Sequence, residues 1–186
     1  MGIPTLIKTL TASDSASLAF VDGAASVTLD STYDEYMFVF TDIGPATDGA
    51  EFQFQVNATD DAGGGYDTSL ITSTTFYAGQ SEAASSALSY HASFDQAQAA
   101  GFQTIAKDCG NGADESSAGI MHLFSPASTT YIKHFYSRFA NYDGIENGIQ
   151  DWFTAGYIND TTAIDEIQFK MSSGNFDGVI QMYGIA

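Results

Sequence analysis

Basic residues are scarce in this chain: Lys and Arg number 5 against 23 Asp and Glu, a formal net charge of −18. So anionic a surface repels phosphate backbones and anionic lipid headgroups, which argues against nucleic acid and against a membrane as partners. Proline occurs 3 times and cysteine once. A lone Cys109 closes no intrachain disulfide, so the fold does not depend on an oxidising compartment. No apolar run reaches the length of a bilayer span, and Met1 to Lys8 lacks the charged start and apolar stretch of a secretory signal. Leu6 also stands where a myristoylation start needs Ser or Thr. Synthesis in a cytoplasm is the expectation. The chain shows no Gly-x-Ser-x-Gly elbow, no phosphate-cradling glycine loop, no dinucleotide fingerprint and no Cys/His cluster, so no enzyme is expected. Paired carboxylates for glycoside hydrolysis stay open, because their separation is a property of the fold.

Aromatic residues are plentiful, with 14 Phe and 10 Tyr, and hydrophobic residues make up 44% of the 186 positions. That is enough to bury a core in one domain. Thr, Ser, Tyr, Phe and Val recur in short runs separated by turn residues, which favours strands over helices. About a dozen strand-like runs are expected on this pattern. They include Thr5 to Leu10, Ser17 to Val21, Ser26 to Leu29, Glu35 to Ile43, Glu51 to Asn57, Leu70 to Tyr77 and Thr130 to Phe139. Tyr36, Phe38 and Phe40 alternate cleanly, as do Phe52 and Phe54, so these two runs are expected to be neighbouring core strands. The expected fold is all-β, an antiparallel two-sheet sandwich of the jelly-roll kind, with a closed barrel as the competing geometry. Residues 1–10 form an N-terminal arm or first strand and residues 11–186 a single domain. A short helical turn is expected near Gln96 to Ala100, and Gln80 to Ala87 reads as a loop.

The last third alternates most clearly. Ala163 to Met171 and Gly178 to Ile185 flank Ser172 to Asp177 and predict a terminal β-hairpin. The phase of the first run breaks once at Asp165-Glu166, which a bulge would reconcile. Gly174 and Gly178 supply positions where positive φ is least costly.

The acidity has three readings: solubility in salty water, where ions screen self-repulsion beyond roughly 8 Å; repulsion of unwanted neighbours; or carboxylate clusters for divalent cations. Asp60 and Asp61 before three glycines, with Asp67 just after, are candidate calcium ligands, since calcium takes oxygen ligands in flexible geometry. The spacing matches no EF-hand, and solvated loop acids are the plainer reading, as they are for Asp108, Asn111, Asp114 and Glu115. His122 and His134 lie in strand patterns, where a structural role outweighs catalysis or zinc. The segment Asn141 to Trp152 brings the single tryptophan near Tyr and Asn. Asn141, Tyr142 and Trp152 are therefore candidate glycan contacts, although a tryptophan at a strand start is more often core.

Several stretches carry a resemblance: Leu6 to Ala12, Leu18 to Gly23, Thr32 to Tyr36, Ala163 to Asn175 and the closing Tyr183-Gly184-Ile185. Together they resemble small virion proteins of marine tailed phages. The family usually closes Leu-Tyr-Gly-Ile where this chain has Met182-Tyr183-Gly184-Ile185, a volume-conserving difference. The resemblance implies a structural protein of the virion, made in the host cytoplasm and displayed in many copies as a homo-oligomer, a trimer by analogy. It further implies other virion proteins as partners, with capsid decoration or cement as the first role. Ile3, Leu6 and Ile7 in the N-terminal arm would then add a strand to a neighbour's sheet edge. A tail fibre or knob that recognises host polysaccharide is the alternative, and a polysaccharide-degrading enzyme the weakest reading.

Overall fold

A computed structural model describes residues 2–60, 66 and 68–186. In chain order the strands are β1 (Thr5–Ser15), β2 (Leu18–Val21), β3 (Glu35–Pro45), β4 (Ala50–Ala58), β5 (Ile71–Ser81), β6 (Ser86–Tyr90), β7 (Ala97–Ala99), β8 (Gln103–Cys109), β9 (Ser117–Phe124), β10 (Lys133–Asp143), β11 (Gly148–Ile158), β12 (Ile164–Met171) and β13 (Phe176–Ile185). The one helical element among the described residues is a 3-10 turn at Ala92–Phe94.

Every strand pairing is antiparallel, and the strands form one nearly barrel-shaped sheet. Its long wall runs β1-β13-β3-β9-β10-β11-β5, with β6 and β7 beyond β5. Its short wall is β8-β4-β12-β2. The walls join where Asp143 of β10 pairs with Cys109 of β8. At the opposite side β1 and β2 approach each other, and Lys8 Nζ donates to the Ala25 carbonyl at 2.9 Å.

Period-two alternation explains the core. Phe38 and Phe40 of β3 and Phe139 of β10 point inward from the long wall to meet Phe20, Phe52 and Phe169 from the short one. Ring centroids lie 5.5 Å apart for Phe20–Phe38, 5.6 Å for Phe40–Phe52 and 5.0 Å for Phe40–Phe169. Edge-to-face geometry dominates, the arrangement that ring quadrupoles favour. The long excursion between β2 and β3 is tied to this core by the buried Tyr36, whose hydroxyl donates to the Asp30 carbonyl at 2.8 Å and accepts from the Asp30 amide at 3.0 Å. Burial pushes that phenol up to about 12. Val27 and Leu29 in the same excursion are buried without forming a strand, so Ser26 to Leu29 supplies core contacts in irregular form.

Four local expectations need correction. The terminal runs are strands, with the bulge between Ile164 and Glu166, but they do not form a hairpin. β12 pairs with β4 and β2 in the short wall, while β13 pairs with β1 and β3 in the long one. Alternation fixes which side chains point inward, but it does not fix the partner; the link between these strands turns a corner with Gly174 at φ 71°, and Gly178, at φ 140°, sits at the register shift within β13. For the same reason β3 and β4 are not neighbours: their rings meet across the core from opposite walls. Finally, residues 97–99 form β7 instead of a helical turn, and part of the segment read as a loop begins β6. Both strands are largely exposed edges and, apart from Leu88 and Tyr90, consist of small and polar residues, which carry little periodic signal.

Candidate functional site

The structure scatters the residues singled out from sequence. Ile3 lies outside β1 and is 88% exposed, and Leu6 is half exposed. Ile7 packs against the core. Residues 5–10 take the form of a first strand, with Leu6 opposite Tyr183 and Leu10 opposite Ile180, so a detached arm is not what they build.

The glycan candidates separate by strand parity. Asn141 is buried: it accepts from the Ser117 hydroxyl and donates to the Lys107 carbonyl, which makes it a strut among β8, β9 and β10. Trp152 is also buried and packs against Tyr77 at 5.6 Å, His91 at 5.4 Å and Phe94 at 5.4 Å. Neither can stack on or hydrogen-bond a surface ligand, which corrects that expectation for both. Tyr142, one residue out of phase with Asn141, is partly exposed. Asp60 sits in an exposed turn, while Asp61 and Asp67 lie outside the described residues. Among the described residues no three His, Cys, Asp or Glu gather as metal ligands. Asp108 pairs with Lys107, and Glu115 accepts from the Gly112 amide at 2.8 Å.

His91 is held among Tyr77, Phe94 and Trp152. Burial lowers its pKa from the ordinary 6.5, and the charge of Lys107 adds to that effect. The folded state therefore keeps the ring neutral where the unfolded chain already binds a proton. Stability should be flat with respect to this group above the unfolded pKa and should fall as pH drops from about 6.5 through the lower folded value. In denaturant titrations from pH 8 to 5, His91→Phe should lose that part of the slope; an unchanged slope would show that the ring is protonated equally in both states.

What the structure does bring together is the outer face of the long wall. Laterally paired residues share a face, and one row runs Tyr90, Phe76, Phe153, Arg138, Ile120 and Val39 across β6, β5, β11, β10, β9 and β3. A second row runs Ala155, Tyr136, His122, Met37, Tyr183 and Leu6. A third holds Ala78, Asp151, Ala140 and Ala118. Among the described residues, the Asp, Glu, Lys and Arg side chains of these rows are Arg138 and Asp151. These two are paired with each other, Arg138 donating to Asp151 through two bonds of 2.8 and 2.7 Å. That bonding holds the Asp151 carboxyl below its ordinary range. At the margin His122 pairs with Glu35. On a molecule of net charge −18, this broad face carries almost no net charge.

Its rings are ordered. Phe76 and Phe153 stack at 5.2 Å, Phe153 and Tyr136 at 6.4 Å with planes 2° apart, and Tyr136 and His122 at 4.7 Å. They form a ridge in which ring faces are taken up by neighbouring rings. Sugars stack on exposed ring faces, so this ridge suits packing against another protein better than against a glycan. Beside it Val39, Ala118, Ile120 and Ala140 line a shallow hollow with Arg138 and Asp151 at its margin. The sequence held one signal for this face: Ile120-Met121-His122-Leu123-Phe124 is apolar or aromatic at every position, so both faces of that strand are covered or sticky.

No family model and no curated protein matches this chain. A solved structure described as "Structure of infectious bursal disease virus Gx strain" aligns with 98% of this chain at 14% identity and a TM-score of 0.12. The alignment spans 41% of that longer chain, and a likeness this distant carries no argument.

Proposed function

We propose that this protein is a structural component of a tailed-phage virion, made in the host cytoplasm and displayed on the particle as a capsid decoration or cement protein. The observation that carries the reading is the broad, nearly uncharged, ring-bearing face on an otherwise strongly acidic body. Apolar surface of this extent on a soluble domain marks an interaction site. The acids elsewhere discourage unspecific contacts. The nearly barrel-shaped sheet is read here as a flattened two-layer sandwich of the jelly-roll kind, and the ring contacts across the core between the two walls support two layers.

Attachment through the N-terminus takes a revised form. β1 pairs with β13 on one side, and among the described residues its other edge has no strand partner. A neighbouring particle protein would add a strand to that free edge, with Ile3 and Leu6 reaching across and Ile7 anchoring β1 to its own core.

A second reading, a fibre or knob that binds host polysaccharide, draws support from Tyr142, which borders a shallow depression with Glu82 and Ile149. Loss of glycan-array binding in Tyr142→Ala, with the fold intact, would favour it. The test between the two is immunogold electron microscopy of purified particles. Label over the head supports decoration and label at the tail supports the fibre reading. Absence of label from particles that contain all their structural proteins would end both.

A further inference from the structure

We propose that the outer face of the long wall is a two-fold interface that seats a second copy of this chain. The inference rests on the reading of that face as adhesive and names its occupant.

Three features make the face complementary to itself. In an isologous pair each residue of a patch meets the same patch rotated, so every protrusion needs a recess close by and every charge an opposite charge close by. The ridge of Phe153 and Tyr136 stands next to the hollow floored by Ala118 and Ala140, so a two-fold rotation lays the ridge of one copy into the hollow of the other. Arg138 and Asp151 sit side by side at the hollow's margin and are 66% and 42% exposed in their side chains. The same rotation sets the arginine of each copy against the aspartate of the other and turns two exposed pairs into a four-charge cluster. The third feature is charge. Two bodies of net charge −18 repel wherever their acids face each other. Copies can therefore meet most easily where the surface is nearly neutral, and a cationic partner would be drawn to the acidic remainder of the surface instead.

Light scattering after size exclusion, run on the full chain, reads the outcome. The wild type should elute at twice 19.7 kDa, and added salt should strengthen pairing by screening the residual repulsion. Phe76→Glu combined with Ile120→Glu, both at exposed positions, should halve the mass and leave circular dichroism and thermal midpoint unchanged. A charge exchange tests the register without disturbing packing. Arg138→Asp places four carboxylates at its own interface and Asp151→Arg places four guanidiniums, so each variant alone should be monomeric. Mixed one to one they should pair with each other. A monomeric wild type, a mass three times the protomer, or failure of the mixed variants to pair would overturn the proposal.

The two readings fail separately. A monomer that still joins particles, and loses that ability with Phe76→Glu and Ile120→Glu, removes the two-fold and keeps the adhesive face. A dimer that never joins particles keeps the two-fold and removes the virion role.

Discussion

Phe169→Ala should lower stability by about 3–5 kcal/mol, the usual cost of emptying a fully buried ring site. Phe169 lies at the centre of the packing: its ring is within 5.0 to 6.4 Å of Phe20, Phe38, Phe40, Phe52 and Phe54, residues that come from both walls. Alanine would therefore leave a cavity that no single neighbour can fill without dragging a strand. For a chain of this size the loss corresponds to a drop of roughly 6–20 °C in thermal midpoint. Native domains are stable by only about 5–15 kcal/mol, so partial unfolding at ordinary temperature is within reach. Phe169→Leu, which keeps most of the apolar volume, should lose markedly less. Equal midpoints for wild type and Phe169→Ala would show that the two walls are not held by this cluster.

Removal of residues 2–12 should have an effect of similar size and a different character. β1 contributes Ile7 and Leu10 to the core, and the lost burial alone amounts to roughly 2–4 kcal/mol. The larger consequence is that β13 becomes an edge. Its amides and carbonyls, now paired from Thr5 to Ser15, would be open to strand addition by other chains, and the expected outcome is aggregation instead of a soluble monomer. Removal of residues 2–4 alone takes away Ile3 and leaves β1 paired, so that shorter truncation should fold normally and isolates the contribution of Ile3 to attachment. A soluble, cooperatively folding 2–12 truncation would show that β1 is an accessory strand.

Strand identity was readable in the sequence because inward and outward residues alternate with period two, and even the bulge after Ile164 left its mark as a break in phase at Asp165-Glu166. Strand partnership was not readable. β12 and β13 are separated by one short link and lie in opposite walls, a choice set by three-dimensional closure and not by local pattern. The candidate site shows the same division. Parity along β10 and β11 decides that Asn141 and Trp152 face inward while Tyr142 faces outward. A composition-based reading of a segment that holds Tyr, Asn and the single Trp cannot see that parity until the strand limits are known. The outer face was less visible still. It is assembled from lateral neighbours such as Tyr90, Phe76, Phe153 and Ile120, contributed by strands scattered from β5 to β11. Only the run Ile120 to Phe124, apolar or aromatic at every position, announced that an outward surface was unusual.

Pairing through the nearly neutral face of the long wall is proposed to be what lets this protein join a particle, with the free edge of β1 making the attachment. The direct measurement is reconstitution: particles assembled without the protein are incubated with purified wild type or with the Phe76→Glu, Ile120→Glu variant, and bound copies are counted after sedimentation. Saturable binding of the wild type and loss of binding by the variant at unchanged thermal midpoint are expected. Equal binding of both would show that attachment needs neither this face nor the pairing it supports.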